Sequence, residues 1–190
     1  MSSGISAGFL LDRQYYWLRG EMEKTKKPTL LTLARVLAET QTPYAIIGGV
    51  ALQAHHPDPR TTLDIDVAVL SRDAIPREAL TDAGFHAGGS FEHSENWVGA
   101  DGTPVQFTDD PALADAVNSA SEVDIEGVAL RVIGVVDLLH EKMRSGTDPA
   151  RRRTKRLRDL LDVESLIETN PDLAGHLTPE ERAVLDRLPK

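Results

Sequence analysis

Between Leu63 and Leu70 the chain alternates strictly: Leu63, Ile65, Val67 and Val69 fall on one side, and Asp64, Asp66 and Ala68 on the other. A period of two is the signature of a β-strand, because successive side chains of an extended chain point to opposite faces. Here the second face carries two carboxylates inside an otherwise apolar run. Like charges two residues apart repel each other, and a cation between them relieves that repulsion. Upstream, Tyr44 to Ile47 is a short apolar strand closed by Gly48-Gly49, and Val50 to His55 resumes helical spacing. A strand that turns into a helix through two glycines presents free backbone N–H groups at the helix start, where they and the helix dipole favour a phosphate.

The rest of the chain reads as a mixture of helices and strands. Residues 1–27 have weak periodicity and are expected to form a loosely packed arm or short helix. Residues 28–40 carry an apolar stripe (Leu30, Leu31, Leu33, Ala34, Val36, Leu37) behind Pro28, which suits the first turn of a helix. Pro57-Asp58-Pro59 stops the helix after the glycines. Ile75 to Asp82 reads as a short helix. Trp97-Val98 and Val105 to Thr108 form a hairpin about Asp101-Gly102, since Asp-Gly favours the positive dihedrals of such turns. Pro111 to Ala120 is helical, and Val123–Ile125 with Val128–Ile133 forms a second hairpin about Glu126-Gly127. From Val135 onwards the pattern is helical, with breaks near Ser145–Pro149 and Asn170-Pro171. The expected organisation is an arm over residues 1–27, a core over 28–134 and a helical region over 135–190 packed on that core. The expected fold class is α+β (α/β): a mixed sheet flanked by helices, with a helical carboxy-terminal part.

Composition narrows the partners. The net charge is −9, and residues 61–140 hold fifteen acids against three bases (Arg72, Arg77, Arg131), whereas residues 151–158 hold six bases and no acid. A chain this acidic is not drawn to nucleic acid by its overall field, so a polyanion has to be met by local bases and bound cations. There is no cysteine, which excludes disulfides and thiolate metal sites. No apolar stretch approaches the roughly 18 residues of a membrane span, and residues 1–20 lack the basic start and apolar run of a secretion signal. A cytoplasmic protein with no membrane partner is expected. The P-loop and dinucleotide-binding glycine patterns are absent.

Glycine turn and paired carboxylates complement each other chemically. Backbone N–H groups position phosphates, and oxygen ligands suit magnesium. Two metals roughly 3.5–4 Å apart clamp the attacking and leaving oxygens of a phosphoryl displacement. Gly48-Gly49, the helix after it, Arg60-x-Thr62-x-Asp64-x-Asp66 and a downstream lysine-bearing helix resemble the nucleotidyltransferase superfamily that includes DNA polymerase beta. Within it the chain is most similar to the small bacterial nucleotidyltransferases of the abortive-infection toxin type. The resemblance is strongest over residues 44–70, continues to about residue 168 and leaves out the amino-terminal arm. It implies transfer of a nucleoside monophosphate from a nucleoside triphosphate to a hydroxyl, with Mg2+ (or Mn2+) as cofactor. It also implies Asp64 and Asp66 as metal ligands, and Gly48 and Gly49 against the triphosphate. Arg60 and Thr62 would support the aspartate strand or touch the triphosphate. Lys142, Arg158 and Asp159 match the toxin-type helical lysine and later Arg-Asp pair, with Lys142 and Arg158 on phosphate, Lys142 and Asp159 catalytic, and Asp162 as a further candidate. An RNA (tRNA) acceptor met by residues 151–158 and an antitoxin partner belong to the same expectation.

Several residues have a second reading. Lys142 is also readable as a surface lysine, with Asp159 and Asp162 paired to arginines one turn away. Residues 151–158 are also readable as a solvated helix face. The third carboxylate that the superfamily implies falls on Val105-Gln106-Phe107, where glutamine replaces the acid. Glutamine is no base and a poorer metal ligand. Asp109 and Asp110 would substitute if that strand ended early; a catalytically degenerate nucleotide- or RNA-binding module is the alternative reading. An antibiotic- or metabolite-modifying transferase is a third reading of the same site. His55 and His56 suit capping or surface roles rather than zinc, and Trp97 suits the core or stacking on a base.

Overall fold

The apolar run Tyr44–Ile47 is buried at every position and forms β1; the alternating run forms β2 (Ile65–Val69), buried except for the half-exposed Asp66. A strand covered on both faces reads as a continuous apolar run, as β1 does, whereas β2 beside it keeps Asp66 half-exposed. In the computed structural model, which describes residues 2–21 and 24–188, the sheet has seven strands in the order β3-β4-β5-β2-β1-β7-β6. The outer strands are β3 (His86–Ser90), β4 (Ser94–Val98) and β5 (Pro104–Thr108) on one side, and β6 (Ser121–Ile125) and β7 (Val128–Val132) on the other. It is a mixed sheet: β1 runs antiparallel to β2 and parallel to β7, β2 runs parallel to β5, and the outer pairs are antiparallel hairpins. The β4–β5 and β6–β7 hairpins lie where the Asp-Gly and Glu-Gly turns require them. Glu126 and Gly127 take φ values of 54° and 79°, and Gly102 takes 82°.

Helices cover the sheet. The stripe of residues 28–40 becomes α2 (Lys27–Glu39), with Leu30, Leu33, Ala34 and Leu37 wholly buried. The helix that opens at the glycine turn is α3 (Gly48–His55), which packs on β1 and β2, and α2 packs on β7. A short α4 (Arg77–Asp82) and α5 (Ala114–Ser119) complete this part. The amino-terminal stretch is neither loose nor short: it forms α1 (Ser2–Trp17), a 16-residue helix packed on α3. Its contact face is Gly4, Ile5, Gly8, Phe9 and Asp12, all buried. Positions four apart share a helix face, but two glycines and an aspartate gave that face no apolar stripe to read.

Residue contacts divide the chain between Gly134 and Val135. The second unit is helical, with α6 (Val135–Thr147), α7 (Arg153–Thr169), a 3-10 turn over Pro171–His176 and α8 (Pro179–Leu185). α6 and α7 approach closely at Gly146, where a β-carbon would come within 2.7 Å of the Leu160 side chain. Thr178 and Glu181 form a capping box at the start of α8, and Glu181 also meets His140 of α6 at 2.8 Å. Among the described residues no helix is long and apolar enough to cross a membrane.

Candidate active site

Gly48 opens α3 directly from β1 with φ +62°, a left-handed conformation that favours glycine. Space imposes a second requirement. A β-carbon at Gly48 would collide with the Asp66 carboxylate, whose Cγ would lie 3.0 Å away. One at Gly49 would lie 2.6 Å from the Thr62 β-carbon. The pairing of Ile47 with Asp66 across β1 and β2 sets this arrangement. Thr62 in turn donates its hydroxyl to Asp64 Oδ1 at 2.8 Å. Both acids are therefore anchored at the glycine turn, Asp66 directly and Asp64 through Thr62. Asp64 is exposed and lies just before β2, and Asp66 is half-buried. Ile47, at the cap position of α3, makes no side-chain hydrogen bond to the helix start, so the first N–H groups are not satisfied from the capping residue.

Gln106 pairs with Asp66 along the parallel β2–β5 ladder, and Asn96 pairs with Gln106 on β4. Directly paired residues share a face of the sheet, so Asp66, Gln106 and Asn96 form one polar row. Glutamine thus occupies the register position expected for a third acid. Asp109 and Asp110 do not replace it. β5 runs on to Thr108, which sets Asp109 about 10 Å along the strand from Gln106. Asp109 is bound by Arg72 Nε at 2.9 Å, and Asp110 caps the next turn through the Ala112 N–H at 2.9 Å.

Arg60 is half-buried; its guanidinium donates to the Thr61 carbonyl at 3.2 Å, and its own carbonyl accepts from Gln53 Nε2 at 2.9 Å. Sequence reasoning missed Asp12, Lys26 and Gln53. Lys26 is 1% exposed and Asp12 is not exposed at all, and they pair at 2.8 Å. Burial pulls the Lys26 ammonium below its ordinary value, opposed by the charges of Asp12 and Asp64. Burial raises the Asp12 carboxyl, opposed by Lys26. His55 serves the fold: its Nε2–H donates to the Ile133 carbonyl at 2.7 Å, and burial holds the ring below its ordinary pKa. His56 is buried too, its Nδ1 accepting from the Asp58 N–H at 3.0 Å. Trp97 is a core residue, 3% exposed, donating to Glu95 at 2.9 Å.

In the helical unit, Lys142 is no surface lysine. Its ammonium is buried against Asp159 at 2.7 Å and Asp162 at 3.1 Å, and Arg151 approaches Asp159 at 3.4 Å. Burial works against the charge, but Glu141, Asp162 and Asp159 together outweigh it and hold Lys142 above its ordinary value. The partners that gather here are Lys142 and the two aspartates of α7. Arg158 is exposed, as are Arg152, Arg153 and Lys155.

Among the described residues no group of three or more histidines or acids is placed to hold a metal ion. Asp64 and Asp66, anchored at the glycine turn, offer two carboxylates. That donor set fits magnesium, which is bound through one or two carboxylates plus substrate phosphates and water rather than in an all-protein cage.

The mixed sheet, with a glycine turn beside an acid-bearing strand, defines a nucleotidyltransferase fold. Solved structures agree on the fold. An antigenic nucleotidyltransferase-like protein from Paracoccidioides brasiliensis is 21% identical over 85% of this chain and 88% of that one, with a TM-score of 0.58. ANT(2″)-Ia in complex with adenylyl-2″-tobramycin is 16% identical over 86% of this chain and 99% of that one, at 0.57. The lincosamide antibiotic adenylyltransferase LnuA, bound to lincomycin, is 16% identical over 75% and 96%, at 0.52. No curated protein matches the sequence. The chain belongs to the family described as nucleotidyl transferase AbiEii toxin, type IV toxin–antitoxin system, which matches residues 31–187.

Proposed function

We propose that this chain is a metal-dependent nucleotidyltransferase that moves a nucleoside monophosphate from a nucleoside triphosphate to a hydroxyl on RNA, a protein or a small molecule. The observation that carries the reading is the seating of Asp66 on Gly48 and the tie from Gly49 through Thr62 to Asp64. It brings two carboxylates and the start of α3 together, the carboxylates for cations and the helix start for phosphate. Asp64 and Asp66 would hold Mg2+ or Mn2+, which would neutralise charge developing on the phosphate oxygens. In the reaction the acceptor hydroxyl releases its proton to solvent water and its oxygen bonds the α-phosphorus. The bond from that phosphorus to the α–β bridging oxygen breaks, and pyrophosphate leaves with the electron pair. Gly48 and Gly49 hold the triphosphate by backbone N–H groups, and Thr62 orients Asp64. Arg60 and Arg158 are the phosphate-binding arginines of this reading. Lys142 and Asp159 are its remaining site residues. A phosphate reaching Lys142 competes with two carboxylates, so the exposed Arg158 is the readier ligand of the two.

The family description supports an antitoxin partner. The exposed bases Arg152, Arg153, Lys155 and Arg158 favour an RNA acceptor, and binding there should weaken steeply with added salt. Titration calorimetry of ATP, CTP, GTP and UTP with magnesium, paired with a pyrophosphate-release assay, tests the reading. The expected result is that one or more triphosphates bind, with release abolished in Asp64→Asn; absence of binding by all four removes the proposal. The second reading, a nucleotide-binding module without turnover, is favoured by Gln106 beside Asp66. It predicts binding without pyrophosphate release, and steady release eliminates it.

A further inference from the structure

Two carbonyls lead into the aspartate strand, and a buried side chain holds each. Gln53 of α3, wholly buried, donates to the Arg60 carbonyl at 2.9 Å. Lys26 donates to Asp12 Oδ2 at 2.8 Å, to Asp12 Oδ1 at 2.9 Å and to the Thr62 carbonyl at 3.1 Å. That commits all three protons of the ammonium. Both side chains are backed by one face of α1. Gly8 leaves no room for a β-carbon, because the Gln53 amide nitrogen would lie 2.6 Å from it; Gly4 is equally tight against the α3 backbone. Asp12, one turn further on the same face, receives Lys26. Thr62, 6% exposed, then passes its hydroxyl to Asp64.

We propose that the Asp12–Lys26 pair is a positioning device for Asp64, fixing the Thr62 backbone so that the Thr62 hydroxyl orients the carboxylate. The inference rests on the reading of Asp64 as a metal ligand. It adds two residues and a helix that lie before residue 31, where the family match begins. A buried ion pair stabilises little or nothing beyond a well-packed apolar pair, so bulk stability is a weak reason for it. What an apolar pair lacks is a donor for the Thr62 carbonyl. Groups that orient a metal ligand from behind typically change metal affinity or activity 10–100-fold on removal.

Lys26→Met leaves Asp12 buried without a counter-charge and is expected to destabilise the chain. Asp12→Leu with Lys26→Met removes both charges and is expected to recover that stability. The full-length wild type, both variants and Asp64→Asn are compared by urea unfolding. Binding of Mn2+ in the presence of each of the four triphosphates is followed by electron paramagnetic resonance, alongside pyrophosphate release. The expected result is that the double variant regains stability yet binds Mn2+ at least about tenfold more weakly than wild type, with kcat reduced and KM for the triphosphate little changed. A double variant that recovers stability, Mn2+ affinity and kcat together overturns the inference: the pair would then be structural alone. A double variant that stays as unstable as Lys26→Met and recovers none of them also overturns it, since metal loss would then follow folding. Wild type whose Mn2+ binding is absent, or is unaffected by Asp64→Asn, removes the underlying reading of the site instead.

Discussion

Replacing Gly48 by alanine probes the coincidence on which the site is built. Its φ of +62° makes any β-carbon unfavourable by about 1–2 kcal/mol. The new methyl also meets the Asp66 carboxylate, with Asp66 Cγ and Cβ at 3.0 and 3.1 Å from it. Asp66 has to swing away, and a displacement of about 30° from its rotamer costs about 0.5–1.5 kcal/mol more. The expected total is roughly 1.5–3.5 kcal/mol. Gly127→Ala is the matched control: at φ +79° it carries the same backbone penalty, but nothing lies within 4 Å of its β-carbon. Urea unfolding of the two variants separates the backbone cost from the collision. Pyrophosphate release adds the functional side, because a carboxylate moved by about 1 Å is expected to cost on the order of 100-fold in turnover. Equal destabilisation of both variants, with turnover of Gly48→Ala unchanged, would refute the claim that Asp66 is held against the turn for a purpose.

Two further outcomes are expected. Gln106→Glu restores an acid in the row beside Asp66 and should tighten Mn2+ binding by about tenfold through an added oxygen ligand and charge; unchanged affinity would put position 106 out of the metal's reach. For His55, burial depresses the folded-state pKa below 6.5. Its stability contribution is therefore fully present above that value and is lost as pH falls through the folded pKa. Urea unfolding between pH 7.5 and roughly pH 5 should show a decline that is smaller in His55→Gln, and parallel declines in the two proteins would contradict the assignment.

The amino-acid sequence alone determined the elements that carry the candidate site. The alternation of Leu63 to Leu70, the apolar run into Gly48-Gly49 and the Asp-Gly and Glu-Gly turns are local signals, set by side-chain period and by backbone dihedrals that few residues adopt. Positions of the candidate acids, and of Gln106 as the residue where a third was expected, were legible for the same reason. Only the tertiary structure decided what faces those acids. Asp12 and Lys26 are fourteen residues apart and Lys26 meets Thr62 thirty-six residues away; no period in the chain marks such a pairing. The face of α1 that makes it is built from glycine and aspartate, whose value lies in close approach and charge rather than in an apolar pattern. β3 is exposed at all five positions and carries no alternation; it forms because the open edge of β4 offers backbone groups to pair with. Lys142 has two readings in the sequence, a site lysine or a surface one, and only the approach of Asp159 and Asp162 from the next helix buries it. Local dihedral and hydrophobic preferences act over a few residues, whereas burial of charge is settled only when distant segments close over it.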